Sequence, residues 1–179
     1  MKRASAMMFA TALLLVAAVS ARSQTPAPTP GPEVKKLDYF IGSWTMDGDV
    51  KPGPMGPGGK MTGSETDSWM AGGFFVEAHE KFMSPMANGT GLAVLGYNSD
   101  DKVYTYHSFD STGQLESATG TLDGDTWSWN SDEKMGGQTM KGRYTAKVLS
   151  PTSYAFKFEL SPDGAAWTTV MEGKASKTK

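Results

Sequence analysis

The first candidate for chemistry is a glutamate among alternate residues of a predicted strand that are otherwise apolar; we call each such set of alternate residues, which shares one face of the strand, a parity. In FFVEAHEKFM, residues 74–83, that parity carries Phe74, Val76, Ala78 and Phe82. Glu80 belongs to the same parity, and an alternation of period two is typical of a half-buried strand. A carboxylate that faces inward among phenylalanines is expected to be paired or protonated. His79 falls on the polar parity, and we expect it on the surface.

His107 is the second candidate. It shares a parity with Phe109 and opposes Tyr104 and Tyr106, so either parity can face inward. An interior histidine that is hydrogen-bonded to a tyrosine or to water is the simpler interpretation. If the side chain faces a cavity, its unperturbed pKa of about 6.5 suits a proton acceptor or a group that orients a ligand.

The sequence contains no recognisable catalytic constellation or metal motif. No serine lies in a nucleophile elbow, and GPGG at 56–59 lacks the strand and Lys-Ser/Thr helix of a phosphate loop. The absence of cysteine excludes thiol chemistry and cysteine-ligated zinc. Methionine pairs in exported proteins can hold Cu(I), but methionine more often fills gaps or forms an adaptable apolar surface. We predict no metal and no cofactor.

Aromatic side chains are the most abundant candidates for ligand contacts. They supply more apolar area than a barrel wall needs, so they either fill the lumen or line a cavity. With the two polar candidates, the predicted ligand-binding residues are Trp44, Trp69, Phe74, Phe82, Glu80, Tyr104, Tyr106, His107, Trp127, Trp129, Tyr144, Phe156 and Phe158.

These residues fall on segments that are typical of short strands. Alternation is clearest in MKGRYTAKV at 140–148 and SYAFKFEL at 153–160. Turn signals recur too often to leave room for a crossover helix. We predict strands at 42–51, 60–69, 74–83, 90–97, 102–110, 114–122, 125–132, 138–149, 153–160 and 166–175. The predicted fold is all-β, a single antiparallel up-and-down barrel of about eight to ten strands with one short N-terminal helix over 33–40.

The N-terminal region indicates export. Met1-Lys2-Arg3 and the apolar run at 6–19 are laid out like a secretory signal peptide, and the run is too short to span a membrane. We predict a signal peptide over 1–23, a Pro-rich linker over 24–32 and a barrel domain over 33–179. Cleavage would leave 14 basic against 19 acidic residues, a balance that disfavours nucleic acid. The predicted location is periplasmic or secreted, without a membrane span; the sequence sets no oligomeric state.

LDYFIGSW, residues 37–44, leads from the predicted helix into a Gly-x-Trp motif on the first strand. We expect Trp44 to point inward as a floor plug, and Gly42 to let the preceding segment cross close to the strand. With WMAGGFFVE, GLAVLGYNSDDKVYTYHSFDSTGQ and SPDGAAWTTVMEGKASK in this order, the chain resembles the lipocalin-like barrels of the calycin superfamily. It resembles the bacterial family DUF1579 more closely, over about residues 34–179. That resemblance implies a fold and no established activity.

The resemblance to lipocalins also implies a cation over the ring of the Gly-x-Trp motif. Lys174 on the last strand is the predicted cation and a candidate partner for Glu80. A second resemblance by fold is to the haem-binding nitrobindin group, which would imply an axial histidine near the C-terminal end of the barrel. His79 and His107 both lie mid-chain, so we do not extend that resemblance to haem.

Three hypotheses for function follow. The first is an exported binding protein that holds a small, mostly apolar molecule in the barrel, with the Pro/Gly-rich 51–60 loop at one rim. The second is a barrel with a filled core that docks a partner in the envelope. The third is an enzyme acting on a small apolar substrate, with His107 or Glu80 as general base. We favour binding over docking, and docking over catalysis.

Overall fold

A short helical segment precedes the strands. The computed structural model describes residues 27–53 and 56–178, and the predicted signal peptide lies outside them. Helix α1, Pro32–Lys35, continues into a 3₁₀ turn, Lys36–Tyr39. Pro32 suits the first turn because its missing N–H is not needed there. Val34 and Leu37 are buried, which fixes the inner side of the segment.

The chain after Ile41 forms ten antiparallel strands. Their bounds are β1 Gly42–Val50, β2 Gly59–Trp69, β3 Val76–Met83, β4 Asn88–Asn98, β5 Val103–Asp110, β6 Leu115–Asp123, β7 Thr126–Met135, β8 Gln138–Ser150, β9 Ser153–Ser161 and β10 Thr168–Lys177. Each strand pairs with its neighbours in sequence, and β1 also pairs with β10. The sheet is therefore a closed barrel without free edges, which confirms the predicted fold class.

The two faces of the strands follow the alternation of the sequence. Trp44 pairs with Glu65, Glu65 with Glu80, and Trp129 with Tyr144, so these side chains share the inner face. The turn residues between the strands supply the left-handed conformations that tight connections need, and most of them are glycines. The inner face is therefore fixed by the register of the whole ladder.

Aromatic residues and the helical segment close one end of the barrel. The buried residues that form this plug are Leu37, Phe40, Trp44, Tyr104, Trp127 and Tyr154. The Trp44 indole N–H donates to the Phe40 carbonyl at 2.6 Å, and the Trp69 indole N–H donates to Asp38 at 2.8 Å. The Tyr104 hydroxyl donates to the Glu33 carbonyl at 3.2 Å. These bonds tie the helical segment to the strands, and Trp44 forms the predicted floor.

Gly42 is required for a different reason from the one we predicted. A Cβ atom there would lie 4.0 Å from Lys177 and would meet nothing closer, so no segment crosses near it. Its φ of +124° is instead a backbone conformation that residues with a Cβ rarely adopt. The glycine turns the chain from the helical segment into β1 and thereby aims Trp44 into the barrel.

Gly48 and Gly173 face each other across β1 and β10 beneath the ring of Phe156. A Cβ atom on Gly173 would lie 2.6 Å from Phe156 and 2.7 Å from the Gly48 Cα, and closer still to the Asp47 carbonyl. Two of these three neighbours are backbone atoms that cannot rotate away. The pair of glycines therefore lets an aromatic ring lie flat against the seam of the barrel.

We expect Gly173→Ala to lower the free energy of unfolding by about 1–3 kcal/mol, because overpacking must displace the seam or Phe156. Urea denaturation measures the change. Gly53→Ala is the matched control, since a Cβ atom there would meet nothing within 4 Å. Equal stability of the two variants would show that the close approach does not require glycine at the seam.

Candidate functional site

We call the half of the barrel interior opposite the plug the chamber. Most of its inward-facing side chains are half-buried, whereas most of those in the plug are buried. Glu65 and Tyr144 are surrounded by the barrel wall and still keep part of their surface accessible to water. The residues that line this chamber are Met46, Met61, Glu65, Glu80, Phe82, Tyr106, Ser108, Glu116, Ser131, Glu133, Tyr144 and Phe158. The barrel is therefore a cup with a filled floor.

Carboxyl groups dominate the polar lining of the chamber. Glu65 on β2 is the cross-strand partner of Glu80 on β3. Glu116 on β6 pairs with Ser108 on β5, and Glu133 on β7 accepts a hydrogen bond from Ser131. Like charges directly opposite each other destabilise a sheet, so this arrangement costs free energy unless protons or a cation neutralise it.

Glu65 and Asp67 form a coupled pair where the chamber meets the plug. Burial raises the pKa of Glu65, and the raised pKa of Asp67 has burial as its first cause and the charge of Glu65 as its second. A hydrogen bond between the two carboxyls also raises the pKa of Asp67 and lowers that of Glu65, which favours the proton on Asp67. Asp67 is only 3% exposed, and its Oδ1 has no hydrogen-bond partner.

Two further acids have raised pKa values. Burial, followed by the charges of Glu133 and Glu80, raises the pKa of Glu116 to about 7. Burial and the charge of Asp110 raise the pKa of Glu80. The charge of Glu80 raises the pKa of both Glu65 and Glu116, which is consistent with the position of all three on the inner face. We had expected Glu80 to be paired or protonated, and the raised pKa favours the protonated form.

Tyrosine and tryptophan groups complete the polar surface. Burial raises the pKa of Tyr106 and of Tyr144, so both hydroxyls stay protonated and can donate. Trp129 lies beside Tyr144 with 6.2 Å between the ring centroids, at the boundary of plug and chamber. Its indole Nε1 is buried and has no acceptor. This nitrogen packs against Gly120 on β6, so the unsatisfied donor lies at the wall.

The structure divides the predicted ligand-binding residues into three groups. Glu80, Phe82, Tyr106, Trp129, Tyr144 and Phe158 line the chamber or its floor, and Phe156 stacks on Tyr144. Trp44, Trp69, Tyr104 and Trp127 belong to the plug or its border, where their polar atoms or rings hold the helical segment. Phe74 lies in the connection between β2 and β3, outside any strand.

His107 lies on the outer face of β5. Its side chain is exposed, and Nδ1 is 3.0 Å from the Ser117 Oγ. His79 is also on the outer face, as predicted, because its neighbours Ala78 and Glu80 face inward. Neither histidine reaches the chamber, so the hypothesis of an interior histidine base is wrong.

The cation over the Gly-x-Trp ring is Lys177 and not Lys174. The Lys177 Nζ lies 5.0 Å from the Trp44 ring centroid and 5.8 Å from that of Tyr39. Lys174 lies opposite Asp47 in the register of β1 and β10. Its side chain faces outward, because its neighbour Ala175 and the alternate residue Gly173 face inward. Lys174 is therefore also excluded as the partner of Glu80.

Sequence reasoning missed Glu65, Asp67, Glu116 and Glu133. On β2 the outer parity consists of lysine, threonine and serine, so polarity does not separate the two faces. The signal was the parity of Trp69 and Met61, which Glu65 and Asp67 share. On β7, Glu133 shares the parity of Trp127 and Trp129 in the same way.

A groove lies on the outer wall as well. It has a volume of about 630 Å³ and runs over β7 to β10 and β1. Although burial opposes it, hydrogen bonds from Lys157 and Arg143 lower the pKa of Glu159 in this groove. The Arg143 guanidinium also lies 4.0 Å from the Trp167 ring centroid. Most of its charges are thus already paired within the chain.

Metal ligation finds no support in the described residues, among which no group of three or more His, Cys, Asp or Glu side chains has the geometry to hold an ion. Within the same residues, no helix has the length and apolar character to cross a membrane.

Stability should fall as the pH rises from 5.5 to 8.5. A carboxyl with a raised pKa favours the folded state while it is protonated, and this contribution is lost as the pH passes through the folded-state pKa, about 7 for Glu65 and Glu116. Glu116 alone should contribute on the order of 1–2 kcal/mol after screening by chamber water.

Urea midpoints at the two pH values measure the effect. Glu65→Gln and Glu116→Gln should each reduce the loss of stability, whereas Glu77→Gln on the outer face of β3 should not. A pH dependence that is unchanged in both chamber variants would contradict the assignment.

Solved structures of low sequence identity share the fold. The crystal structure of Rv2717c from M. tuberculosis matches with a TM-score of 0.58 and 10% identity, over 84% of this chain and 99% of that chain. The S-type phycobiliprotein lyase CPES from Guillardia theta matches with a TM-score of 0.53 and 9% identity, over 81% of this chain and 92% of that chain. At these identities the likeness concerns the fold alone. No curated protein matches the sequence.

Similarity at the level of a protein family covers nearly all of the described residues. The family model of DUF1579, a protein of unknown function, matches residues 29–177. That span contains the helical segment, all ten strands and the lining of the chamber. The chain therefore belongs to the DUF1579 family.

Proposed function

We propose that this protein is an exported binding protein that holds a small molecule with a large apolar part in the chamber. The observation that carries the proposal is the contrast between the two halves of the barrel. The plug half is filled by aromatic side chains, while most inward-facing side chains of the other half remain partly accessible to water; Val50 and Leu160 at its far rim are buried. A closed barrel that needed only stability would fill both halves.

The lining of the chamber suits an apolar ligand with a polar group. Met46, Met61 and Phe82 offer adaptable and aromatic apolar surface. The unsatisfied buried atom Asp67 Oδ1 gives the inner face hydrogen-bonding capacity that the chain itself does not use. A mostly apolar pocket with a few convergent polar groups is the usual form of a small-molecule site.

The rim opposite the plug is the entrance of this site. The connection between β1 and β2 lies there and touches the turn after β3, since a Cβ atom on Gly59 would lie 2.9 Å from Pro85. Export rests on the sequence of residues 1–23.

The alternatives of partner docking and catalysis receive less support. Most charges of the outer groove are already paired within the chain, so the groove itself offers few free charges to a partner. An enzyme would have to use Glu80 as its base, because His107 is outside. One of the solved structures that share the fold is named a phycobiliprotein lyase, and we take that name as support for a small-molecule site in this barrel.

Uptake of the neutral fluorescent probe N-phenyl-1-naphthylamine by residues 24–179 tests the proposal. We expect saturable binding with one site per chain. Ser108→Trp fills the chamber from β5 and should weaken binding at least about tenfold, because a bulky side chain then occupies the probe's space.

Ser117→Trp is the matched control, since Ser117 lies one strand away on the outer face. It should bind the probe as the wild type does. Absence of saturable binding by the wild type, or equal loss in both variants, would contradict a chamber site.

A further inference from the structure

The charges of the barrel interior are strongly unbalanced. Within the described strands, six carboxyl groups lie on the inner face, and Lys177 is the single basic side chain there. Lys177 is engaged at the plug, over the Trp44 and Tyr39 rings. Within the described strands, therefore, no lysine or arginine side chain faces the chamber beside these carboxyls. Isolated buried carboxylates are costly, so such a set is stable only with protons or with a cation from outside.

The carboxyls are confined to one arc of the wall. Those on the inner face come from β2, β3, β5, β6 and β7, which are contiguous in the barrel apart from the intervening β4. The described inner faces of β8, β9, β10 and β1 carry no carboxyl group and include Met46, Tyr144, Phe156 and Phe158. The chamber thus has an acidic wall and an apolar wall that face each other.

A second observation at the base of the acidic wall also points to a ligand. Asp67 is 97% buried, the complement of its 3% exposure, and its side chain faces the interior beside Glu65. No donor of the chain reaches its Oδ1. A buried acceptor without a donor costs free energy, so the wall is incomplete as the chain alone builds it.

We propose that the chamber binds an organic cation, a protonated amine attached to an apolar body, with the ammonium group among Glu65, Glu80 and Glu116 and the body against the apolar wall. This inference rests on the proposed function and names the ligand class for the same site. Glu80 is central, because its charge acts on both Glu65 and Glu116.

An ammonium group fits this wall better than a metal ion does. The acids are distributed over separate strands, and no three of the described carboxyls have metal-binding geometry. A metal ion requires its ligands at fixed short distances. An ammonium group has three donors and tolerates carboxylates that are spread around it.

Isothermal titration with three probes of one chain length tests the proposal: decylamine, decan-1-ol and decanoic acid. The titrations are run at pH 8, where carboxyls with a pKa of about 7 are mostly ionised. We expect decylamine to bind at least about tenfold more tightly than decan-1-ol, and decanoic acid to bind most weakly, because charged hydrogen bonds favour only the amine.

Glu65→Gln and Glu116→Gln should each reduce the preference for decylamine over decan-1-ol severalfold. Glu77→Gln removes one negative charge from the outer face of β3 and should leave the preference unchanged. The ratio of the two affinities is informative even where a substitution alters overall stability.

The outcomes separate the two proposals. Equal binding of amine and alcohol, or a preference that survives both chamber variants, would overturn the amine inference and leave the binding function standing. Failure of all three probes to bind, together with failure of the neutral fluorescent probe, would overturn the binding function itself.

Discussion

The structure depends on a plug that is complete without a ligand. The Trp44 indole donates to the Phe40 carbonyl at 2.6 Å, and this bond joins the first strand to the segment that closes the barrel. Beside it, Phe40 contacts both Trp127 and Tyr154 edge to face, an arrangement that aromatic rings prefer. Since the floor is filled by the chain itself, the other half of the interior is not needed to hold the barrel closed.

That division allows the chamber to carry groups that would destabilise an ordinary core. A carboxyl with a pKa near 7 resists ionisation because its surroundings do not compensate the charge. Several such groups together cost a substantial share of the 5–15 kcal/mol by which small domains are typically stable. At the seam the reverse holds: Gly48 and Gly173 have no side chains, and this allows Phe156 to make close contact. Side chains are thus tightly packed at the floor and the seam, and less tightly packed in the chamber.

The strands were predictable because their signal is local. Alternation and turn residues placed all ten strands to within two or three residues of their observed bounds, and the order of the strands followed from the lack of crossover helices. The face of an individual side chain was harder to predict. Where one parity was clearly apolar, as on β3, the inward position of Glu80 followed correctly. On β5 both parities contain large side chains, so the choice between His107 and Tyr106 needed the register of the neighbouring strands.

The acids of the chamber illustrate a deeper limit. Inward-facing Glu65 and Glu116 violate the rule by which polar side chains are assigned to the outside, and such violations concentrate at functional sites. The cation at the Gly-x-Trp ring was predicted as a type of contact, but the residue is Lys177, three positions beyond Lys174, because the β-bulge in β10 and the parity of Ala175 decide the face. For contacts that depend on the register of distant strands, the sequence can therefore predict the type of contact but not which residue makes it.

The arrangement of the two walls constrains how any ligand can lie. The acidic strands and the apolar strands occupy opposite arcs of a closed barrel, so a molecule that satisfies both must present its cationic group and its apolar body to different sides. An apolar molecule alone would leave the acidic arc unpaired, and a small cation alone would leave the apolar arc in contact with water. Because the plug closes the floor, entry is confined to the opposite rim. Solved structures share this fold at about 10% identity, so the barrel architecture by itself does not determine which side chains line its interior.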